Sequence, residues 1–208
     1  MSRRILAIDT ATTACSVALF ADDQLVASAF EEIGRGHAEK LVPMIARLPD
    51  KGAADEIIVN GGPGSFTGIR IGLSAGKALA LAWDASVSAY QCLHLVAAQA
   101  RRSIGTDQPV CVTMSGGHGE YFVQNFDGAG NSVDELQSLA PTDALQNAKS
   151  ALLAGSGAET LAALSENCSA LPILPDAAKV LLLPEQQRSL APQPIYGRVP
   201  DAQIKQKT

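Results

Sequence analysis

At 208 residues, with 47% hydrophobic and 18% charged side chains, the chain carries enough apolar matter for a sizeable core and is not disordered. A formal net charge of −5 gives no broad positive field for phosphates, and an aromatic content of 4% leaves few stacking platforms, which argues against a stand-alone RNA binder. Cys15, Cys92, Cys111 and Cys168 are scattered without a C-x-x-C pair, against both structural zinc and a secreted disulfide framework. Behind Arg3 and Arg4, Asp9 ends an apolar run far short of a signal-peptide core, and no stretch nears the roughly 18 apolar residues of a membrane span, so a cytoplasmic chain is expected.

In chain order, residues 4–10 (RILAIDT) read as a buried strand, Thr10 to Thr13 as a polar turn, and residues 15–20 and 25–30 as two more strands around the turn Asp22-Asp23. Such short connections make the three antiparallel neighbours. Leu41, Ile45 and Leu48 fall at helical spacing in 37–48, with Pro43 suited to the first turns. EIIVN (56–60) is a strand, a glycine-rich loop follows, and 66–83 is the clearest helix. The signals then weaken: a short strand at 85–90, a helix at 92–103, strands at 109–114, 120–126 and 150–155, and a helix at 158–167. From Leu190, Pro192, Pro194 and Pro200 predict an irregular tail. The expected organisation is an N-terminal lobe, 1–104, and a smaller C-terminal lobe, 105–208, repeating the first in shorter form.

The loop GGPGSFTGIRIG (61–72) fits neither common phosphate motif. For a P-loop, the residue after Gly68 should be lysine but is Ile69, and Pro63 stands where the first glycine belongs. For the dinucleotide fingerprint, the third glycine falls at Thr67. Gly72-Leu73-Ser74-Ala75-Gly76 spells G-x-S-x-G, but a nucleophile elbow needs its serine on a strand-to-helix turn, and Ser74 lies inside the helix. What remains is geometric. Ser65 is a helix cap, and Gly68, Gly72 and Gly76 recur every four residues along one helix face. Each interior glycine costs about 1 kcal/mol of helix propensity, recovered where another backbone comes close. That backbone belongs either to the chain's own core or to a partner.

The stretches ILAIDTATTACSVAL (5–19), HAEKLVPMI (37–45), GPGSFTGIRIGLSAGKALA (62–80) and PIYGR (194–198) together resemble the TsaB (YeaZ) family. The resemblance is specific in the first lobe and loose in the second. It implies an α/β fold of the actin-like ATPase superfamily, two lobes each with a mixed sheet and flanking helices. It also implies a non-catalytic subunit that pairs with its paralogue TsaD, which carries the active site. With the ATPase TsaE, that assembly transfers a threonylcarbamoyl group to N6 of the adenosine beside the anticodon in tRNAs reading codons that begin with A. Contact with tRNA is then indirect, through the complex, and no cofactor, metal or membrane is expected. The family's heterodimer packs the first two helices of each N-terminal lobe together. Carried onto 37–48 and 66–83, this points to His37, Leu41, Ile45, Gly68, Ile69, Gly72, Leu73 and Gly76 as partner-binding residues, with the glycine stripe facing TsaD. An exposed small-residue groove would also favour a homodimer when the chain is alone.

Residual catalytic equipment is a separate question. The H-x-x-x-H metal pair of TsaD-like paralogues is broken, because Leu41 stands four residues after His37. In nucleotide-binding relatives an aspartate after the first strand holds hydrated metal, and Asp9, Thr10 and Thr12 retain that shape, although such residues are also ordinary turn formers. Gly116 and Gly117 stand where a second phosphate turn, D-x-G-G, would lie, with Met114 in place of its aspartate; Gly155 and Gly157 resemble the adenosine-side turn. These seven residues mark a vestigial nucleotide site at most. The alternatives are an ATP-dependent kinase-like enzyme of the same superfamily and a metallopeptidase-like protein.

Overall fold

The computed structural model describes residues 2–105 and 107–197. Arg198 and Pro200 of the tail, and Lys205 and Lys207 beyond it, lie outside the described residues. The first sheet begins with β1 (Arg4–Asp9), β2 (Ala14–Ala21) and β3 (Gln24–Glu32), which pair antiparallel. Asp22 and Asp23 close the β2–β3 hairpin at φ 46° and 61°, the left-handed pair whose twist suits a two-residue turn. After α1 (His37–Ala46) and a 3-10 turn at Pro49–Gly52, β4 (Glu56–Asn60) joins parallel to β1. Next comes α2 (Phe66–Trp83), then β5 (Ser86–Tyr90), parallel to β4, and then α3 (Cys92–Ile104). The order is β3-β2-β1-β4-β5.

Layering on both faces explains why the central strands read as unbroken apolar runs. Leu6, Ile8, Ile57 and Val59 pack towards α1 and α2. Ile5, Ala7 and Ile58 pack the other way, against Leu95 of α3 and against Ala177, Val180 and Leu183. The last three come from a 3-10 turn, Ala177–Leu182, and the residue just after it. A short helix, α6 (Glu185–Arg188), leads on to Leu190, which bridges Ala89 of β5 by two backbone hydrogen bonds of 2.9 and 3.0 Å. The C-terminal segment therefore returns to the first sheet and completes its second layer, where proline content alone suggests only an irregular tail.

The second sheet is built from β6 (Val110–Ser115), β7 (Tyr121–Phe126), β8 (Gln137–Leu139), β9 (Leu152–Ala154) and β10 (Ser169–Leu171). Helices α4 (Pro141–Asn147) and α5 (Ala158–Ala162) flank it. Its order, β10-β9-β6-β7-β8, repeats the first sheet strand for strand, and this duplication is the actin-like arrangement. β8, α4 and β10 have no clear sequence signal because they are three to seven residues long. α5, expected to reach 167, stops at Ala162.

Candidate functional site

The glycine face of α2 is turned inward. A Cβ on Gly68 would collide with the Thr10 carbonyl, one on Gly72 would lie 2.5 Å from Thr10 Oγ1, and one on Gly76 2.6 Å from Val59 Cγ2. The close backbone is the chain's own: Thr10 Oγ1 donates to Gly68 O at 2.7 Å, and Ser65 N donates to Ala11 O at 2.7 Å. Ser65 does cap the helix, accepting from Gly68 N at 3.2 Å. The sequence reading that directs this stripe at a partner is thus corrected. Bare glycines let the helix lie on β1 and β4, whose atoms stand where side chains on the stripe would go. His37, Leu41, Ile45, Ile69 and Leu73 are buried with them. His37 donates from Nε2 to Ala14 O at 3.1 Å and ties the start of α1 to β2, so it is a buried strut.

The opposite faces of α1 and α2 are open. Leu81 is 87% exposed and Val42 59%, and Pro43, Ala46, Ala78 and Ala82 are exposed beside them. Ile71, Ala75 and Leu79 are half-buried in the same helix. Ser74 sits on this outer face of α2, away from any strand-to-helix turn. The sequence reading points to none of these residues as a docking face. The available signal was the complement of the glycine face, since α2 positions 70, 74, 78 and 81 follow the same helical period on the other side.

Between the lobes lies a cleft of about 1600 Å³. Thr12, Gly116, Gly117 and Ser156 line it, whereas Asp9, Thr10, Gly155 and Gly157 do not. Gly155 and Gly157 serve close packing instead: Gly157 N donates to Thr113 O at 2.9 Å, and Cβ atoms on the two glycines would press on Thr113 and Tyr121. Asp9 points beneath the first sheet. Its Oδ2 accepts from Tyr90 Oη at 2.5 Å and from Asn60 Nδ2 at 2.6 Å, and its Oδ1 accepts from Ala11 N at 3.1 Å. Burial pushes the carboxyl up to about 6 against the pull of those three donors. The oxygens that would hold hydrated metal are committed to the protein, and among the described residues no cluster of three or more His, Cys, Asp or Glu could hold an ion. The residues present do not fit a resident metal–nucleotide pair. Cys15, Cys92 and Cys111 are buried thiols held in the unreactive protonated form.

Fold and site together define a two-lobed, actin-like protein whose buried Asp9 carboxylate is engaged by Tyr90 and Asn60 and whose N-terminal helix pair exposes apolar side chains on its outer face. The family described as "TsaD: tRNA N6-adenosine threonylcarbamoyltransferase" matches residues 30–177. The chain belongs to this family, and within it to the TsaB (YeaZ) group. It is 39% identical over 107 residues to the "tRNA threonylcarbamoyladenosine biosynthesis protein TsaB" of Escherichia coli K12, covering 49% of this chain and 46% of that one. The chain spans about half the length of the curated TsaB relatives it matches. An uncharacterized protein of Mycobacterium tuberculosis is 30% identical over 95% of this chain and 93% of its own length. The solved structure of YeaZ from Pseudomonas aeruginosa superposes with a TM-score of 0.76 at 27% identity, covering 93% of this chain and 99% of that one. Among the described residues no helix is long and apolar enough to cross a membrane.

Proposed function

We propose that this chain is a non-catalytic subunit of the tRNA threonylcarbamoyladenosine machinery, acting in the cytoplasm by docking a TsaD-type subunit on the outward face of α1 and α2. The observation that carries this reading is the exposure of Leu81, Val42, Ala78 and Ala82 on two adjacent helices of a chain whose other large apolar side chains are mostly buried. Contiguous apolar surface on a rigid helix pair is what a partner needs. The tRNA-modification names of the relatives and the family match to TsaD select which partner. Transfer of the threonylcarbamoyl group to N6 of the adenosine next to the anticodon then takes place on the TsaD-type subunit, with TsaE joining the larger assembly. This chain positions the active subunit. The engagement of Asp9 with Tyr90 and Asn60 supports a role without chemistry of its own, against a kinase-like one.

The test is to mix the purified chain with the TsaD-type subunit of the same cell, follow co-elution by gel filtration, and measure modified adenosine in a reconstituted reaction with TsaE. Co-elution together with a marked rise in modification when the chain is added is the expected result. Separate elution, or equal modification without the chain, contradicts it.

A further inference from the structure

At the cleft end of the outward α2 face, three side chains from two distant segments form one cluster. The Arg70 guanidinium carbon lies 3.6 Å from the Phe66 ring centroid, one helical turn earlier. Arg70 Nη2 donates to Tyr196 Oη at 3.1 Å. The Phe66 and Tyr196 rings stack with centroids 5.6 Å apart and planes at 26°. Both rings remain about half exposed, Phe66 at 54% and Tyr196 at 45%. The segment bearing Tyr196 is itself anchored: Ile195 N donates to Gly61 O at 2.7 Å, and Gly197 packs against Pro63 and Phe122.

Among the described residues the cluster ties Tyr196 to α2 and leaves most of the Arg70 guanidinium donors unpaired. Among the described residues, ion pairs engage Arg3, Arg4, Lys40, Arg101 and Lys149, and Arg70 faces no carboxylate. Its planar fork offers five N–H donors, of which Tyr196 takes one. An arginine stacked on an aromatic ring keeps its charge while losing the rotamer freedom it would otherwise surrender on binding. Arginine and tyrosine are also the residue types that anchor protein interfaces most often. Ser74, Ala78 and Leu81 continue the same helix face, so a subunit that covers Leu81 also approaches Arg70.

We propose that Arg70, pre-organised by Phe66 and Tyr196, is the polar anchor of this face and receives a carboxylate of the TsaD-type subunit. The inference rests on the docking reading given above. A protein carboxylate matches the site better than a nucleic-acid phosphate. A backbone polyanion is matched by a row of fixed cations along its length, whereas here the rings of Phe66 and Tyr196 hold Arg70 alone in place, Lys77 being an unclamped lysine further along α2.

The experiment is calorimetric titration of the TsaD-type subunit into wild type, Arg70→Ala, Arg70→Lys and Tyr196→Phe, with thermal melting of each chain alone. Tenfold or greater weakening by Arg70→Ala, little recovery by Arg70→Lys, a smaller loss for Tyr196→Phe, and unchanged melting temperatures are expected. Wild-type affinity in Arg70→Ala overturns this inference and leaves the docking reading standing. Failure of the wild-type chain to bind overturns both. Retention of a tRNA transcript by the chain without its partner, lost in Arg70→Ala, makes the arginine a phosphate contact and overturns the assignment to a carboxylate.

Discussion

The two lobes share a strand order, yet their helices differ in length and in how they lie on the sheet. In the first lobe α1 and α2 run for 10 and 18 residues, and α2 is pressed onto β1 and β4 through Gly68, Gly72 and Gly76. In the second, the helices at the corresponding points, α4 and α5, run for 7 and 5 residues. Isolated helices that short are marginal in water, and here they owe their shape to packing. A long helix seated backbone to backbone on a sheet has one side sealed and the other held rigidly outward. The comparison therefore teaches that the glycine stripe and the docking face are two sides of one device: the stripe fixes the helix, and the fixed helix presents Leu81, Ala78 and Arg70.

The sharpest way to break that comparison is Gly68→Val. Its side chain has to displace the Thr10 carbonyl, so we expect a loss of about 4 kcal/mol or more in urea unfolding of the chain alone. A stable Gly68→Val variant would mean that the helix is free to move off the sheet.

Next in size is the buried carboxylate of the first lobe. Asp9 titrates near 6 in the folded chain against 3.8 for an unperturbed carboxyl. The folded state thus binds the proton more tightly than the unfolded state. The stabilisation is complete below about pH 4 and is lost as pH rises to about 6 and beyond, a change of up to about 3 kcal/mol at roughly 1.4 kcal/mol per pH unit of separation. The wild-type-minus-Asp9→Asn stability difference should therefore fall as pH rises across that window, as read from melts at pH 4, 5, 6 and 7. A difference that grows with pH in the wild type's favour contradicts the assignment.

Smaller in energy is the contrast between two exposed leucines. Leu81→Asp should weaken binding of the TsaD-type subunit at least tenfold, about 1.4 kcal/mol, while leaving the melting temperature of the chain within a degree or two. Leu164→Asp, at a leucine that is also exposed but lies on the second lobe, should leave binding unchanged. The smallest effect is expected at Gly117→Ala. No atom lies within 4 Å of the added methyl and the backbone is not left-handed there, so stability should move by under about 0.5 kcal/mol.

Much of the first lobe was legible from local chemistry. Alternate burial on both sides explains the apolar RILAID and EIIVN runs, paired aspartates close the β2–β3 hairpin, and Ser65 with the helix behind it sits where capping and period place them. The direction of the glycine face was not legible, because periodicity reports which residues share a face and says nothing of what that face meets. Asp9 shows the same limit. Its position after the first strand reads as a turn or a metal ligand, and only the arrival of Asn60 and Tyr90, 51 and 81 residues further on, decides for a satisfied buried carboxylate. Tyr196 lies 126 residues from Arg70, so their contact leaves no local trace in the sequence. The short strands β8 and β10 form because β7 and β9 offer an edge, a tertiary cause that three residues cannot signal.

The central claim is that the outward face of α2, including its Arg70 end at the mouth of the cleft, meets the partner, and that the Thr12 side of the cleft and the second lobe do not. Photo-crosslinking from a benzophenone amino acid placed in turn at positions 81, 12 and 164 tests it most directly. The account predicts a covalent adduct with the TsaD-type subunit from position 81 and none from the other two. Adducts from position 12 or 164, with position 81 silent, would contradict it.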